Sequence, residues 1–249
     1  SYETIYADAR QAWKEAVLDK LKQYDGNFFQ AYSTTPFVVP CGNTLDEEAA
    51  KADGADVAVF VLSRIAGENA DRHDTEGDYF ITKEEKSLLA QISASYDSVV
   101  LVINTGGLID LAFTEEFTNI KSIVQFMQAG QEGGSAFADI VSGAVNPSGK
   151  MTDSWAYTYL DYPNARTFSH KNGNTDTEKY EEGIFVGYRY FDTFDVPVRY
   201  GFGFGLSYTE FSVVGTGVSA SGLGTDQPKI SVTASVKNTG NTYAGKEVA

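Results

Sequence analysis

Two carboxylates stand where they could do acid–base chemistry. Glu68 lies in the polar stretch RIAGENADRHDTEGD, Arg64 to Asp78, directly after Gly67 and flanked by Arg64, Asp71 and Arg72. A carboxyl group presented on such a loop, with charged neighbours to tune its pKa, suits a general acid or base. The same residue also reads as one solvated carboxylate among 34 acidic side chains. Glu132 in QAGQEGG, Gln128 to Gly134, invites the same comparison, but an acid in the first turn of a helix is favoured by the helix dipole whatever its function. Gly106-Gly107 and Gly133-Gly134 could admit a phosphate to a helix N-terminus, yet neither G-x-G-x-x-G nor G-x-x-x-x-G-K-[ST] accompanies them. Ser207 has no histidine at a spacing that builds a serine triad. One cysteine, Cys41, and two histidines, His73 and His170, form no disulfide framework and no zinc pattern. No metal and no cofactor is therefore expected. Trp155, Tyr157, Tyr159 and Tyr162 either stack on sugars or hold an irregular segment to the body of its domain.

The elements that must position these groups follow from periodicity. Asp56 to Ser63, DVAVFVLS, is a short Val-rich apolar run expected of a parallel strand covered on both faces. After the polar loop, Thr82 with Glu85 three residues later forms a capping box that opens a helix carrying Leu88, Leu89 and Ile92. The same grammar returns in SVVLVINTGG, Ser98 to Gly107, and in SIVQFMQAGQEGG, Ser122 to Gly134, the latter followed by an amphipathic helix through Ala136, Ile140 and Val141. Repeated β-α units imply an α/β fold, a mainly parallel sheet with helices on both faces. Ligands of such sheets bind beyond the carboxyl ends of the strands, which is where the three loops lie.

Upstream, Ile5, Ala9, Trp13, Val17 and Leu21 recur at four-residue steps and predict a helix over Ile5 to Tyr24, ended by Gly26. A connector through Phe37 to Pro40 leads to a short acidic helix, Leu45 to Ala52, capped by Thr44. Downstream, Asn146 to Tyr208 loses periodicity in a stretch dense in Tyr, Phe, Gly and Asp, where GFGFG, Gly201 to Gly205, reads as a tight aromatic turn. Lys229 to Val236 then alternates as a half-buried strand. The expected division is an α/β sandwich domain over 1–211 and the first strands of an incomplete β-sandwich module over 212–249, since a complete one takes about 100 residues.

Charge excludes several partners. With 19 basic against 34 acidic residues the chain carries a formal −15, a field that repels phosphate backbones and anionic lipid headgroups. Its apolar runs fall far short of the roughly 20 residues a membrane span requires. Neither nucleic acid nor a membrane is an expected partner.

Several phrases together resemble one family. They are SRIAGENADR from Ser63, GDYFIT from Gly77, QAGQEGG from Gln128, NPSGKMTDSWA from Asn146, YEEGIFVGYRYFDTF from Tyr180 and YGFGFGLSYTEF from Tyr200. In order, over about four fifths of the chain, they are similar to glycoside hydrolase family 3, the β-glucosidase family. The resemblance implies an α/β sandwich domain bearing the acid/base glutamate and the beginning of a fibronectin type III-like module. It also implies a partner, a (β/α)8-type barrel of the same parent protein that carries an aspartate nucleophile and lies outside this chain. The family's S-G-E-G-x-D-R type loop reads AGENADR here, with Asn69 where a glycine is common, so the resemblance places the acid/base role on Glu68. Asp153-Ser154-Trp155 differs in order from the family's Ser-Asp-Trp nucleophile setting and is not assigned. The opening helix and the FFQAYSTTP connector resemble members in which the sandwich precedes the barrel, which would put the nucleophile beyond Ala249. The implied activity is retaining hydrolysis of a terminal β-linked sugar in a β-glucoside or oligosaccharide. The reading from another class is a non-catalytic carbohydrate-binding or scaffolding module.

Overall fold

A computed structural model describes residues 2–38, 40, 54–64 and 71–241. The helix expected over Leu45 to Ala52 and Glu68 itself, within 65–70, lie outside the described residues. The chain forms two compact units, one of Ser1–Gly130 with Tyr157–Glu181, the other of Gln131–Ala156 with Glu182–Ala249.

The first unit opens with α1 (Tyr2–Gln23) and α2 (Phe28–Ser33). The stripe expected on α1 is present: Ile5, Ala9, Trp13 and Leu21 are partly covered and Val17 is buried, while most positions between them face solvent. Trp13 anchors the pair, donating from Nε1 to the Thr35 carbonyl at 2.5 Å and meeting Tyr32 and Phe37 edge-on. The connector after Gly26 is not irregular throughout. FFQAYS forms α2 because the Asn27 side chain accepts the Gln30 N–H at 3.1 Å and caps it.

Three strands make the sheet that matters for function: β1 (Val57–Ser63), β2 (Ser98–Asn104) and β3 (Ile120–Gln125), parallel, in the order β1-β2-β3. Between β1 and β2 lies α3 (Lys83–Ser95). Both hydrogen bonds of the capping box expected at Thr82 and Glu85 are formed. The core is built on the central strand, where Val99, Leu101, Val102 and Ile103 are buried, with Leu89 and Ile92 of α3 and with Ile109, Leu111 and Phe113 of the following segment. Each such side chain contributes about 1.5–3 kcal/mol when fully buried. Covering of both faces was expected of β1, and here the observation differs. Phe60 and Leu62 are buried, but Val57, Val59 and Val61 are 52%, 47% and 50% exposed. Among the described residues β1 pairs with β2 alone, and alternation along it leaves the face that carries Val57, Val59 and Val61 about half open while Phe60 and Leu62 face the core.

The second unit contains α4 (Gly133–Val141), the antiparallel pair β4 (Trp155–Ala156) and β5 (Val198–Tyr200), α5 (Tyr188–Thr193), and a hairpin of β6 (Phe211–Ser221) with β7 (Lys229–Asn238). Its irregular segment is held by specific fasteners. The Asn146 Oδ1 atom accepts from Ser207 Oγ at 3.0 Å and from the Tyr208 N–H at 2.8 Å, and Lys150 Nζ donates to the Gly205 carbonyl at 2.8 Å. GFGFG is an aromatic turn as expected: Tyr200 stacks on Phe204, Tyr188 on Phe202, and Met151 exchanges backbone hydrogen bonds with Phe204 and Gly203. Trp155 is 2% exposed and meets Tyr200 edge-on, so it packs.

Gly205 is required by close approach, because a Cβ there would lie 2.5 Å from the Gly149 carbonyl oxygen. Gly205→Ala is expected to lower stability by about 1–3 kcal/mol, the usual cost of overpacking. Gly130→Ala, where nothing lies within 4 Å, should stay within about 0.5 kcal/mol. Thermal unfolding of the two variants side by side checks this.

Candidate active site

The carboxyl end of the parallel sheet is where β1 stops at Ser63 and its last partner on β2 is Asn104. Arg64 is the first residue past that edge, and its peptide N–H extends the ladder to the Asn104 carbonyl at 3.1 Å. All five guanidinium N–H groups of Arg64 are engaged. Nε donates to the Asp78 carbonyl at 3.0 Å, Nη1 to the Ser63 carbonyl at 2.8 Å and to Glu85 Oε1 at 2.7 Å, and Nη2 to the Phe80 carbonyl at 3.2 Å and to Glu85 Oε2 at 2.8 Å. The pair is bidentate and buried, with side-chain exposures of 5% and 11%. Glu85 also accepts the Thr82 N–H at 2.8 Å, so one carboxylate caps α3 and neutralises the arginine that ends β1.

Arg64, one of the charged neighbours expected around Glu68, has no N–H donor left, and its charge is met by Glu85. The second arginine behaves differently. Arg72 donates from Nη1 to Asp78 Oδ1 at 2.5 Å, lies against Gly107 of the loop after β2, and keeps Nη2 buried without a hydrogen-bond partner. Asp78 Oδ2 accepts the His73 N–H at 2.7 Å. Burial pushes the Asp78 carboxyl up, but the His73 peptide and the Arg72 guanidinium outweigh it and hold it below its ordinary value.

A later stretch of the first unit returns to the same place. The hydroxyl of Ser169, a residue in the left-handed region at φ 57°, donates to the Asp71 carboxylate. Lys171 Nζ donates to Asp74 at 2.9 Å and to the Tyr159 hydroxyl at 2.7 Å, and the Tyr159 ring packs edge-on against Tyr79. Lys171 holds the Asp74 carboxyl below its ordinary value. Tyr79 is 2% exposed with its hydroxyl unpartnered, and burial pushes its pKa up. Sequence reasoning found Tyr159 as an aromatic candidate but missed Asp78, Lys171 and the ion-pair role of Glu85. Only Glu85 had a signal, its place in the capping box; partners 97 residues apart, such as Asp74 and Lys171, have none.

The other loop candidates are placed as follows. Gly106-Gly107 is followed by a 3-10 turn at Ala112–Glu116 and not by an α-helix. Glu132 is the residue before α4, without a side-chain cap bond, and belongs to the second unit. Among the described residues no cluster of His, Cys, Asp or Glu is placed to hold a metal ion, and no helix is long and apolar enough to cross a membrane.

Residues 2–188 match the family model described as the glycosyl hydrolase family 3 C-terminal domain. The chain belongs to glycoside hydrolase family 3. Within the family it is 40% identical over 238 residues to a β-glucosidase of Ruminococcus albus, covering 94% of this chain and 24% of that protein. A crystal structure of a β-glucosidase from Paenibacillus barengoltzii superposes with a TM-score of 0.75 at 32% identity, over 90% of this chain and 25% of that one. The structure of β-glucosidase 3B from Thermotoga neapolitana in complex with glucose gives a TM-score of 0.69 at 34% identity, over 82% of this chain and 29% of that one. The chain thus spans about a quarter of the length of these family 3 relatives.

Two measurements test the geometry. Tyr79→Phe removes a buried hydroxyl that has no partner, so it should leave stability unchanged or raise it by about 1 kcal/mol in chemical denaturation. Asp78, with its carboxyl lowered in the folded state, stabilises the fold above the ordinary carboxylate pKa of about 3.9, and the contribution is lost as pH falls through the folded-state value. The stability difference between wild type and Asp78→Asn should therefore shrink on acidification from about pH 6 to about pH 2.

Proposed function

We propose that this chain is the acid/base-bearing part of a retaining β-glycosidase that hydrolyses terminal β-linked sugars, with Glu68 as the general acid/base. On this reading the nucleophile is an aspartate of a barrel domain in the same parent protein. The domains are an α/β sandwich with helices on both faces over 1–211 and the first strands of a fibronectin type III-like module over 212–249. The hairpin β6–β7 supports the second assignment, because a lone two-stranded hairpin with exposed Val213, Val218, Ile230 and Val232 calls for further strands. The single observation that carries the functional reading is the family match combined with the position of AGENADR in the sequence, beginning two residues after Arg64, the residue that follows β1.

The chemistry explains why two domains are used. A retaining glycosidase sets two carboxyl groups about 5–5.5 Å apart, one attacking the anomeric carbon while the other protonates the leaving oxygen. The carboxylate left behind then takes a proton from water, whose oxygen bonds to the anomeric carbon as the glycosyl–aspartate ester bond breaks and the sugar is released. A carboxyl held among buried sugar and a second carboxylate keeps its proton near neutral pH. Terminal β-glucose is the substrate class best supported, since the β-glucosidases above share both the fold and the sequence.

Hydrolysis of an aryl β-glucoside by the full-length parent checks the reading. Glu68→Ala and Glu68→Gln should spare formation of the glycosyl-enzyme from substrates with good leaving groups but stall its hydrolysis, and azide should restore turnover while producing a β-glycosyl azide. Wild-type turnover by both variants would move the role to Glu132 or another loop carboxylate.

A further inference from the structure

The second unit leaves much apolar surface open around one short helix. α5 buries Phe191, while Ile184, Val186, Tyr188, Phe194 and Phe202 stay between 39% and 73% exposed. These side chains are not strewn over a loose segment. Arg189 Nε donates to the Ile184 carbonyl at 2.8 Å, Tyr188 stacks on Phe202 with ring centroids 4.8 Å apart, and Phe194 meets Phe185 edge-on at 5.0 Å. Gly187, at φ 59°, turns the chain into the helix, and beyond the helix the Val196 N–H donates to the Phe191 carbonyl at 3.0 Å. The face is thus held in shape without being covered. Contiguous apolar surface with a polar edge marks an interaction site. Here the edge is acidic, since the charged residues over 182–195 are Glu182, Asp192 and Asp195 with Arg189.

We propose that this face is where a further domain of the same parent polypeptide docks, through a surface with an apolar centre and a basic rim. This rests on the reading of the chain as part of a longer family 3 hydrolase. The relatives above are matched over 24% and 25% of their own length, so about three quarters of such a polypeptide lies outside the matched region. The residue types select among occupants. Ile184 and Val186 offer a sugar neither a flat ring to stack on nor a side-chain hydrogen bond, and the Nε of Arg189 is spent on a backbone carbonyl. A second copy of the chain would set the same acidic edge against itself across a two-fold axis, which like charges oppose. A protein surface that places Lys and Arg around an apolar centre meets both features of the face.

Photo-crosslinking in the full-length parent tests this. p-Benzoylphenylalanine is placed in one variant at Ile184, the most exposed of the five, and in a second at Phe194; after irradiation the joined peptides are identified by mass spectrometry. The expected product has the mass of a monomer and joins these positions to parent residues outside 1–249. Crosslinks confined to 1–249, products at the mass of a dimer, or no crosslink at all would overturn the inference. Hydroxyl-radical labelling of the unsubstituted parent gives a second readout that needs no variant. Ile184, Phe194 and Phe202 should be labelled at least about fivefold less in the native protein than in denaturant, because interface cores pack as densely as protein interiors; equal labelling in the two states would also overturn it. Glu68→Gln in the same parent separates the two claims. Azide rescue without a crosslink outside 1–249 removes the docking face alone, whereas such crosslinks without azide rescue remove the acid/base assignment and leave the docking face standing.

Discussion

A buried arginine–glutamate pair organises the functional end of this molecule. Arg64 is the first residue past β1 and Glu85 the third residue of α3, so their bidentate contact joins the strand that delivers the candidate loop to the helix that follows it. Burying both charges is costly, and what offsets it is completeness: five N–H donors of Arg64 are matched, and the carboxylate also caps the helix. Removing either partner would leave a charge stranded in the core, a change worth about 3–5 kcal/mol.

That constraint clarifies what the neighbouring charges do. Each of these two arginines has its own carboxylate, Glu85 for Arg64 and Asp78 for Arg72, and the cations act as fasteners. The acidic excess of the whole chain, −15, sets a field that repels phosphate groups.

The phrases that carry the family resemblance outside this loop are largely fasteners as well. NPSGK and FGFGLSY meet through Asn146, Ser207, Tyr208, Lys150 and Gly205, and the aromatic residues between them stack on one another. Trp155 is buried among them, which explains why a Trp- and Tyr-rich stretch that resembles a sugar platform in sequence is, at that residue, packing. Such motifs identify a family because they hold a turn together, and the residues that bear chemistry can be a small part of them.

The amino-acid sequence by itself determined the parallel sheet, the start of α3, the stripe of α1 and the family, because these depend on local periodicity, on a capping box four residues long and on phrases legible in one dimension. It left FFQAYS within a connector, since one capping asparagine decides that helix, and it credited β1 with two covered faces, since an apolar run does not record which face other elements cover. What only the tertiary structure decided is how the charges pair. Arg64 lies 21 residues from Glu85, and Asp74 lies 97 from Lys171. An ion pair is made by proximity in space, and no spacing along a chain specifies it until the sheet and helix have brought its partners within about 3 Å.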